Sequence, residues 1–498
     1  MNIASAKKQV TNAIRAYLVR DEQGEYVLPL ENQRPVFLMG PPGIGKTAIM
    51  SQIARELDLG LVSYSMTHHT RQSALGLPFI VDETFGGQEV RTSHYTMSEI
   101  IATVFEMIES SGNEQGILFL DEINCVSETL APAMLQFLQF KTFGTHRLPD
   151  GWVVVTAGNP PEYNNSVREF DIVTWDRLKR IDIEPDYEAW KAYSYSVGAH
   201  PAITTYLEMK KSNFYKVEST VEGKRFVTAR GWIDLARMIS LYEHEEIAVD
   251  VDLVGQYLQD PDIAHDFSNY YQIFMKYKAD YQVNDILAGN VPDDVLARAK
   301  KAPFDERLSL VGMVCDGCMS AVAACAEEEK VVNNVLADVR DVRDERQSKP
   351  VCDLVQGCID KRRKQLERLA AASADRRDDK RRFNTEIAFF TQALDEASKQ
   401  PEADPYELLK AAFQELLATF KEHVAAAQHT LDCAFSFFEL AFADGQEILI
   451  FVTDLTANDV TAGFISSYGC DKYFQHNKEL LFYERQKEII AELADFDL

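Results

Sequence analysis

The feature that most constrains the fold is a glycine-rich octapeptide near the N-terminus. It follows a short apolar segment at residues 35–39 and precedes a segment of helical character at residues 47–57. The octapeptide fits the pattern Gly-x-x-x-x-Gly-Lys-Ser/Thr, and its residues are Gly40, Pro41, Pro42, Gly43, Ile44, Gly45, Lys46 and Thr47. A loop of this kind between a strand and a helix points backbone N–H groups inward, where they can bind phosphate. We therefore expect a phosphate site at the carboxyl end of a buried strand.

Strand-like and helix-like segments alternate through the first 185 residues. The further strand candidates are residues 61–65, 117–120, 152–156 and 180–184, and the further helix candidates are residues 4–17 and 97–108. Strands that alternate with helices form a parallel sheet with helices on both faces. The predicted fold class is therefore α/β, with a parallel sheet sandwiched by helices, a helical lid and a mostly α-helical C-terminal region.

The strand signals fade beyond this part of the chain. We predict an α/β nucleotide-binding core at residues 1–185, a helical lid at residues 186–275 and a helical region at residues 276–498. Within the last region, residues 337–390 are dense in charge. Such a segment favours a solvated or coiled-coil arm over a compact core.

Polar residues follow two of the apolar strand candidates. Asp121 directly follows one of them and can hold Mg²⁺, and Glu122 can orient and activate a water molecule as a general base. Asn159 follows the next strand candidate and can position the same water, although an ordinary Asn-Pro turn is the alternative. Lys46 is expected to bridge phosphate oxygens, and the Thr47 hydroxyl to ligate Mg²⁺. The set predicts a site for a nucleoside triphosphate with Mg²⁺.

Four segments in this order resemble the AAA+ ATPases, and more narrowly their MoxR-like branch. They are GPPGIGKT at 40–47, LDEIN at 120–124, TAGNPPEY at 156–163 and WDRLKRID at 175–182. The resemblance covers roughly residues 1–275. It implies ATP hydrolysis with Mg²⁺ by a ring oligomer, in this case a hexamer, that remodels, assembles or activates a protein partner. MoxR-like proteins commonly work with a protein that carries a von Willebrand factor A domain, so the resemblance implies such a partner.

The resemblance also implies roles for particular residues. Asn159 corresponds to the first sensor, and Arg177 to the finger that reaches the γ-phosphate bound by the neighbouring subunit. Arg230, in the predicted lid, corresponds to the second sensor. Arg168 and Arg180 remain alternatives for the finger. Each arginine has an alternative interpretation as a partner in a surface ion pair, which contributes little to stability.

Two loops are candidates for contact with a partner. Residues 66–78 resemble the MoxR-like segment on the partner-facing or pore-facing side of the ring, and residues 143–151 resemble the hairpin insertion of this branch. The first loop contains His68 and His69. Because adjacent residues on a strand point to opposite faces, we expect no metal site there.

The charge of the chain bears on what it can bind. With 51 Lys and Arg against 78 Asp and Glu, the formal net charge is −27, which opposes nonspecific binding to nucleic acid or anionic lipid. Residues 361–382 are locally basic, so a nucleic-acid-stimulated ATPase or motor is the alternative function. Helical i,i+4 ion pairs account for much of this cluster, and nucleic acid is not the expected partner. A nucleotide-switched scaffold without hydrolysis is disfavoured by the complete set of candidate catalytic residues.

The cysteines and the apolar segments indicate a cytoplasmic protein. Eight cysteines in 498 residues are too sparse for a disulfide scaffold. Cys315, Cys318 and Cys325 surround an alanine-rich helical segment, and we expect small core residues there rather than zinc ligands. The sequence shows no secretory signal and no uncharged apolar run of the length that a membrane-spanning helix needs. We expect no membrane association.

Overall fold

A five-stranded parallel sheet forms the centre of the N-terminal part of the chain. The computed structural model describes residues 1–68, 72, 74, 76–164, 166–220, 223–371, 377–443 and 445–477. The strands in this part are β1 (Val36–Met39), β2 (Gly60–Ser65), β3 (Pro78–Phe85), β4 (Gln88–Tyr95), β5 (Gly116–Asp121), β6 (Thr142–Phe143), β7 (His146–Arg147), β8 (Trp152–Gly158) and β9 (Lys179–Asp182). The helices are α1 (Ile3–Tyr17), α2 (Lys46–Glu56), α3 (Glu99–Ser111), α4 (Ala131–Phe140) and α5 (Ile172–Trp175).

The sheet has the strand order β2-β5-β8-β1-β9, and all its neighbouring strands are parallel. Its central strands are continuous apolar runs: every side chain of β8 and the four apolar side chains 117–120 of β5 are buried. Such runs are typical of strands covered on both faces. At the N-terminal end of β5, Gly116 is required because a Cβ there would lie 2.6 Å from the Trp152 ring. The predicted α/β fold class is confirmed.

Two hairpins extend from the sheet region. Strands β3 and β4 pair antiparallel over eight residues each, from Pro78 opposite Tyr95 to Phe85 opposite Gln88, and most of their side chains are exposed. The sequence predicted a loop up to residue 78 but no strands after it. The shorter hairpin, β6–β7, lies at the start of the predicted insertion at residues 143–151. His69 and the side chain of His68 lie outside the described residues.

Contacts divide the described residues into two compact units. The first unit comprises residues 1–189, 228–230 and 368–371, and the second comprises residues 190–227, 231–367, 377–443 and 445–477. The predicted domain boundaries remain predictions.

Beyond β9, the described residues form helices and one hairpin. Its helices are α6 (Tyr187–Ser196), α7 (Pro201–Met209), α8 (Ala229–His244), α9 (Val251–Tyr257), α10 (Pro261–Tyr281), α11 (Val283–Leu287), α12 (Asp293–Lys301), α13 (Phe304–Glu345), α14 (Val351–Ala371), α15 (Arg377–Lys399), α16 (Pro405–Phe442), α17 (Gln446–Ala457) and α18 (Asp459–Tyr468), and residues 471–477 are also helical. The hairpin consists of β10 (Lys216–Thr220) and β11 (Gly223–Val227), where the sequence indicated only a turn.

Helix α13 is the central helix of the second unit. It packs against α7, α10, α16, α17 and α18. Among the described residues, α13 alone is a single helix long and apolar enough to cross a membrane, and the bent pair α17–α18 passes the same test only if both helices form one span. Because 61% of the apolar window of α13 is buried within the protein, it has the character of a core helix. Cys315, Cys318 and Cys325 lie on α13 and are buried, as expected for core residues.

The charged segment at residues 337–390 contains three ionic side chains that are buried together. Arg362 on α14 donates from Nε to Glu386 Oε2 on α15 at 2.6 Å, and from Nη2 to Asp338 Oδ2 on α13. The side chains of Arg362, Asp338 and Glu386 are only 4%, 7% and 1% exposed. We call these three residues the buried ion triad. The three helices are therefore packed against one another at this point rather than separately solvated.

Candidate active site

The glycine-rich loop connects the buried strand β1 to helix α2. Gly43 and Gly45 have positive φ angles of 75° and 98°, which residues with a side chain rarely adopt. A Cβ on Gly40 would lie 2.7 Å from the carbonyl oxygen of Ile183. The loop therefore needs glycine at these positions for its tight curvature, and it ends at the N-terminus of α2, where unpaired amides and the helix dipole favour anions.

Lys46 is the first residue of α2, and its side chain points back under the loop. It is only 7% exposed. Its ammonium group donates to Gly40 O at 2.7 Å, to Pro41 O at 2.8 Å and to Asn159 Oδ1 at 2.9 Å. The structure thus brings together the loop, its lysine and Asn159, the residue after β8, which the sequence predicts to position the water.

Burial lowers the pKa of Lys46 to about 8, from an ordinary value of 10.5. Asp121 and Glu122 oppose this effect because their negative charges favour the ammonium form, whereas Arg230 adds to it. All three of these acceptors are neutral oxygens, two from backbone carbonyls and one from the side-chain amide of Asn159. The group therefore lacks a carboxylate in direct contact that would neutralise its charge.

Thr47 and Asp121 meet at the carboxyl ends of the central strands. The Thr47 hydroxyl donates to Asp121 Oδ2 at 2.9 Å, and the other carboxylate oxygen accepts from the Glu122 N–H at 2.9 Å. Hydroxyl and carboxylate oxygens are ligands that Mg²⁺ prefers. The structure therefore places the two predicted Mg²⁺ ligands in direct contact.

Glu122 follows Asp121 in an unusual backbone conformation. Its φ angle is +56°, in the left-handed region that is sparsely used by residues other than glycine and is often found at functional sites. Its carboxylate Oε2 accepts from the Ser65 hydroxyl at 3.2 Å. Ser65 is the last residue of β2 and pairs in register with Asp121. Sequence reasoning missed Ser65, although its position at the end of a strand candidate was a usable signal.

The three candidate finger arginines differ in their pairing. Arg168 donates to Glu128 at 2.8 Å, and Arg180 donates to Asp182 at 2.8 Å. The Arg177 side chain is exposed and makes no hydrogen bond or ion pair with any residue that the structure describes. Of the three, Arg177 is therefore the one whose side chain has no acidic hydrogen-bond partner in the described part of the chain, and its charge acts on Asp171 only at longer range.

Arg230 lies beside the glycine-rich loop. Its backbone N–H donates to Gly43 O at 3.0 Å, and its charge contributes to the lowered pKa of Lys46. Two residues earlier, Thr228 is so close that a Cβ on Gly43 would lie 2.8 Å from its side chain. Residues 228–230 belong to the first unit although the rest of α8 does not. The predicted second sensor is thus part of the loop's surroundings.

Residues 36–174 match the family model for AAA, the ATPase family associated with various cellular activities. The matched segment, which is less than a third of the chain, is similar to the AAA domain of that family. The matched range begins at the first residue of β1 and ends within α5, so it includes the glycine-rich loop, the acidic pair, Asn159 and Arg168. Arg177, Arg180 and Arg230 lie beyond the AAA match. No curated protein matches the chain.

The AAA domain fits a magnesium nucleotide by three independent features. The positive φ angles of Gly43 and Gly45 give the loop a curvature that residues with side chains rarely adopt. The Lys46 ammonium is buried without a carboxylate of the described residues in direct contact, and the Thr47 hydroxyl and the Asp121 carboxylate supply two neighbouring oxygen ligands. ATP hydrolysis is the general activity of this family. The family description names no branch, substrate or partner.

Proposed function

We propose that the chain is a MoxR-like AAA+ ATPase that hydrolyses MgATP as a hexameric ring and thereby remodels, assembles or activates a protein partner. The observation that carries the proposal is the hydrogen-bonded contact of Lys46 with Asn159 and of Thr47 with Asp121, beside Glu122. The five side chains come from three separate segments of the chain, residues 46–47, residues 121–122 and Asn159. Their convergence supports one catalytic site.

Each of these residues has a distinct task in hydrolysis. Lys46 binds β- and γ-phosphate oxygens and exchanges its present carbonyl acceptors for charged ones. Thr47 and Asp121 would hold Mg²⁺, which neutralises phosphate charge when it is bound. Glu122 orients the attacking water and takes its proton, and Asn159 holds the water in line. Positioning and electrostatic stabilisation supply most of the rate acceleration in phosphoryl transfer.

The ring is supported by the pairing of the arginines. Members of the AAA family commonly assemble into rings. The Arg177 side chain is exposed and makes no hydrogen bond or ion pair with the described residues of its own chain, so it is available to a neighbouring subunit. Arg168 and Arg180 are held by acidic neighbours. We therefore assign the trans-acting finger to Arg177 and the second sensor to Arg230.

A protein partner is supported by the exposed hairpin β3–β4. By the register of the two strands, Phe79, Phe85 and Val90 lie on one face of this hairpin, and they are 45%, 60% and 44% exposed. Exposed apolar residues that share a face are typical of protein contacts. We propose a cytoplasmic partner with a von Willebrand factor A domain. The alternative is a nucleic-acid motor. It loses support because Arg362 of the basic segment is buried in the ion triad and therefore cannot contact phosphates.

The first test replaces the proposed general base. The Glu122→Gln variant should bind ATP with the parental affinity, lose nearly all turnover and remain as a stable oligomer with bound ATP. Phosphate release measures turnover, and size-exclusion chromatography with light scattering measures the oligomeric state. Affinity purification with this variant then identifies the partner. Hydrolysis at the parental rate would show that Glu122 is not the base.

The second test asks whether Arg177 acts in trans. Arg177→Ala alone should lower turnover by about 10³-fold or more while ATP binding persists. In an equal mixture with Glu122→Gln, about a quarter of the sites in a randomly assembled ring combine an intact base with a neighbour's intact finger, so about a quarter of the parental activity should return. Arg168→Ala is the matched control. A mixture that stays inactive would contradict a trans-acting finger.

A further inference from the structure

Asn124 is a buried polar residue next to the proposed catalytic groups. It lies in the short 3₁₀ turn Ile123–Cys125, which directly follows Glu122, and it is only 2% exposed. Its side-chain amide Nδ2 donates to the backbone carbonyl of Asn159 at 2.8 Å. A buried amide in this position has a defined partner, and that partner is the residue proposed to position the attacking water.

A close approach of the backbone makes this contact possible. A Cβ on Gly158 would lie 2.5 Å from Asn124 Oδ1 and 2.8 Å from Cζ of Phe37. The absence of a side chain at Gly158 therefore leaves the space that the Asn124 amide occupies. Asn124 and Gly158 form one fitted contact between the turn after β5 and the end of β8.

The two ends of Asn159 are held by different residues. Its side-chain oxygen accepts from Lys46 at 2.9 Å, and its carbonyl accepts from Asn124 at 2.8 Å. The carbonyl of Asn124 itself accepts from the backbone N–H of Arg168 at 2.9 Å. Asn124 thus connects the turn that carries Glu122 to the loop that begins with Asn159.

We propose that Asn124 is a positioning residue for ATP hydrolysis. It fixes Asn159 relative to Glu122 so that both side chains contact the same water molecule. This inference rests on the proposed function. Without the Asn124 amide, the Asn159 carbonyl loses its buried donor, and the residue is held only through the side chain that must also contact the reactants. Small misplacements of catalytic groups cost up to about 10²-fold in rate.

The test compares Asn124→Ala and Asn124→Asp with the parent. We expect kcat to fall by about tenfold to a hundredfold while the affinity for ATP, measured by fluorescent nucleotide titration, changes by less than about threefold. The aspartate has the same shape but presents a carboxylate to the Asn159 carbonyl. Since a protonated carboxyl can donate, the kcat of Asn124→Asp relative to the parent should rise as the pH falls.

The matched control is Asn164→Ala. The Asn164 amide donates to Cys125 Sγ at 3.3 Å, so it anchors the same turn without contacting Asn159. We expect this variant to retain the parental kcat within about threefold. An equal loss in Asn164→Ala and Asn124→Ala would show that the turn acts only through its stability and would overturn the proposal.

A double-mutant cycle with Gly158→Ala tests the fitted contact itself. In the parent, the new methyl group of Gly158→Ala clashes with the Asn124 amide and displaces it. In the Asn124→Ala background this amide is absent, so the two losses in kcat should be less than multiplicative. Multiplicative losses, or a parental kcat in Asn124→Ala, would refute the role of Asn124.

If Glu122→Gln is inactive while Asn124→Ala is fully active, only this inference fails. If Glu122→Gln keeps its turnover, the proposed function fails first.

Discussion

The burial of Lys46 predicts that nucleotide binding is coupled to the uptake of a proton. Its pKa is lowered to about 8 chiefly because its ammonium group is desolvated. Only the protonated form can pair with phosphate oxygens. When ATP binds, its negative charges favour the ammonium and raise the pKa of Lys46 again. A protein with neutral Lys46 must therefore take up a proton as it binds ATP.

The magnitude follows from the fraction of Lys46 that is neutral in the free protein. For a pKa of about 8, that fraction is about one tenth at pH 7, about half at pH 8 and about nine tenths at pH 9. We expect proton uptake of about 0.1, 0.5 and 0.9 per bound ATP at these three pH values. The same linkage weakens ATP binding by about tenfold between pH 7 and pH 9.

Isothermal titration calorimetry in buffers of different ionisation enthalpy measures this uptake. A non-hydrolysable ATP analogue prevents hydrolysis during the titration and keeps Glu122, whose charge raises the pKa of Lys46, in place. Lys46→Arg should abolish the uptake because arginine stays protonated throughout this range. Lys141→Met is the matched control. Burial also lowers the pKa of Lys141 to about 8, but among the described residues its ammonium donates to Leu138 O near the end of α4 and to no residue of the glycine-rich loop. Uptake near zero at pH 8 and pH 9, or uptake that disappears with Lys141, would refute the reasoning.

The remaining predictions concern stability and are measured by chemical denaturation. Lys141 has a folded-state pKa of about 8, below its unfolded value, so the unfolded state binds more protons between the two values. From about pH 8 to about pH 10.5, the free energy of unfolding should rise by up to about 3 kcal/mol in the parent relative to Lys141→Met. Arg362→Met should cost about 3–5 kcal/mol because it removes the cation that two buried carboxylates share, leaving Asp338 with Lys361 at 3.6 Å and Glu386 with only the neutral Asn334 amide among the described residues. Apolar replacement of the whole buried ion triad should be about neutral or stabilising. Ile80→Ser should change the free energy of unfolding by no more than about 0.5 kcal/mol, because this side chain is 72% exposed on its hairpin. A larger loss would show that the hairpin packs against other residues.

The parts of the fold that the sequence predicts are those with a local physical signal. Strands β5 and β8 contain the apolar runs 117–120 and 152–155 because both faces of the sheet are covered, and such runs are visible without knowledge of the fold. The glycine-rich loop is visible because its curvature needs glycine at fixed positions, including Gly43 and Gly45. The contact of Thr47 with Asp121 follows from these elements, since the carboxyl ends of parallel strands lie at the same edge of a sheet.

The parts that the sequence does not predict depend on distant partners or on exposed surfaces. The β3–β4 hairpin was missed because its strands are exposed on both faces and therefore lack the alternation of buried and exposed residues that marks a strand. Arg362 lies in a run of charge that is typical of a solvated helix. Its two partners, Asp338 and Glu386, are each 24 residues away on other helices. The contact of Asn124 with Asn159 spans 35 residues and has no pattern in the sequence.

The same distinction explains why a chain of net charge −27 can contain a site for a polyanion. The net charge averages over surface groups that water and salt screen, whereas the site depends on Lys46, which is shielded from both. Its pKa is lowered from 10.5 to about 8. This shift means that the free protein disfavours the ammonium form, relative to the neutral amine, by about 3 kcal/mol more than water does. Phosphate oxygens remove this penalty when they bind, because they supply the negative charge that the carbonyls of Gly40 and Pro41 lack. The affinity for ATP should therefore respond far more to the substitution of Lys46 than to the removal of several surface carboxylates.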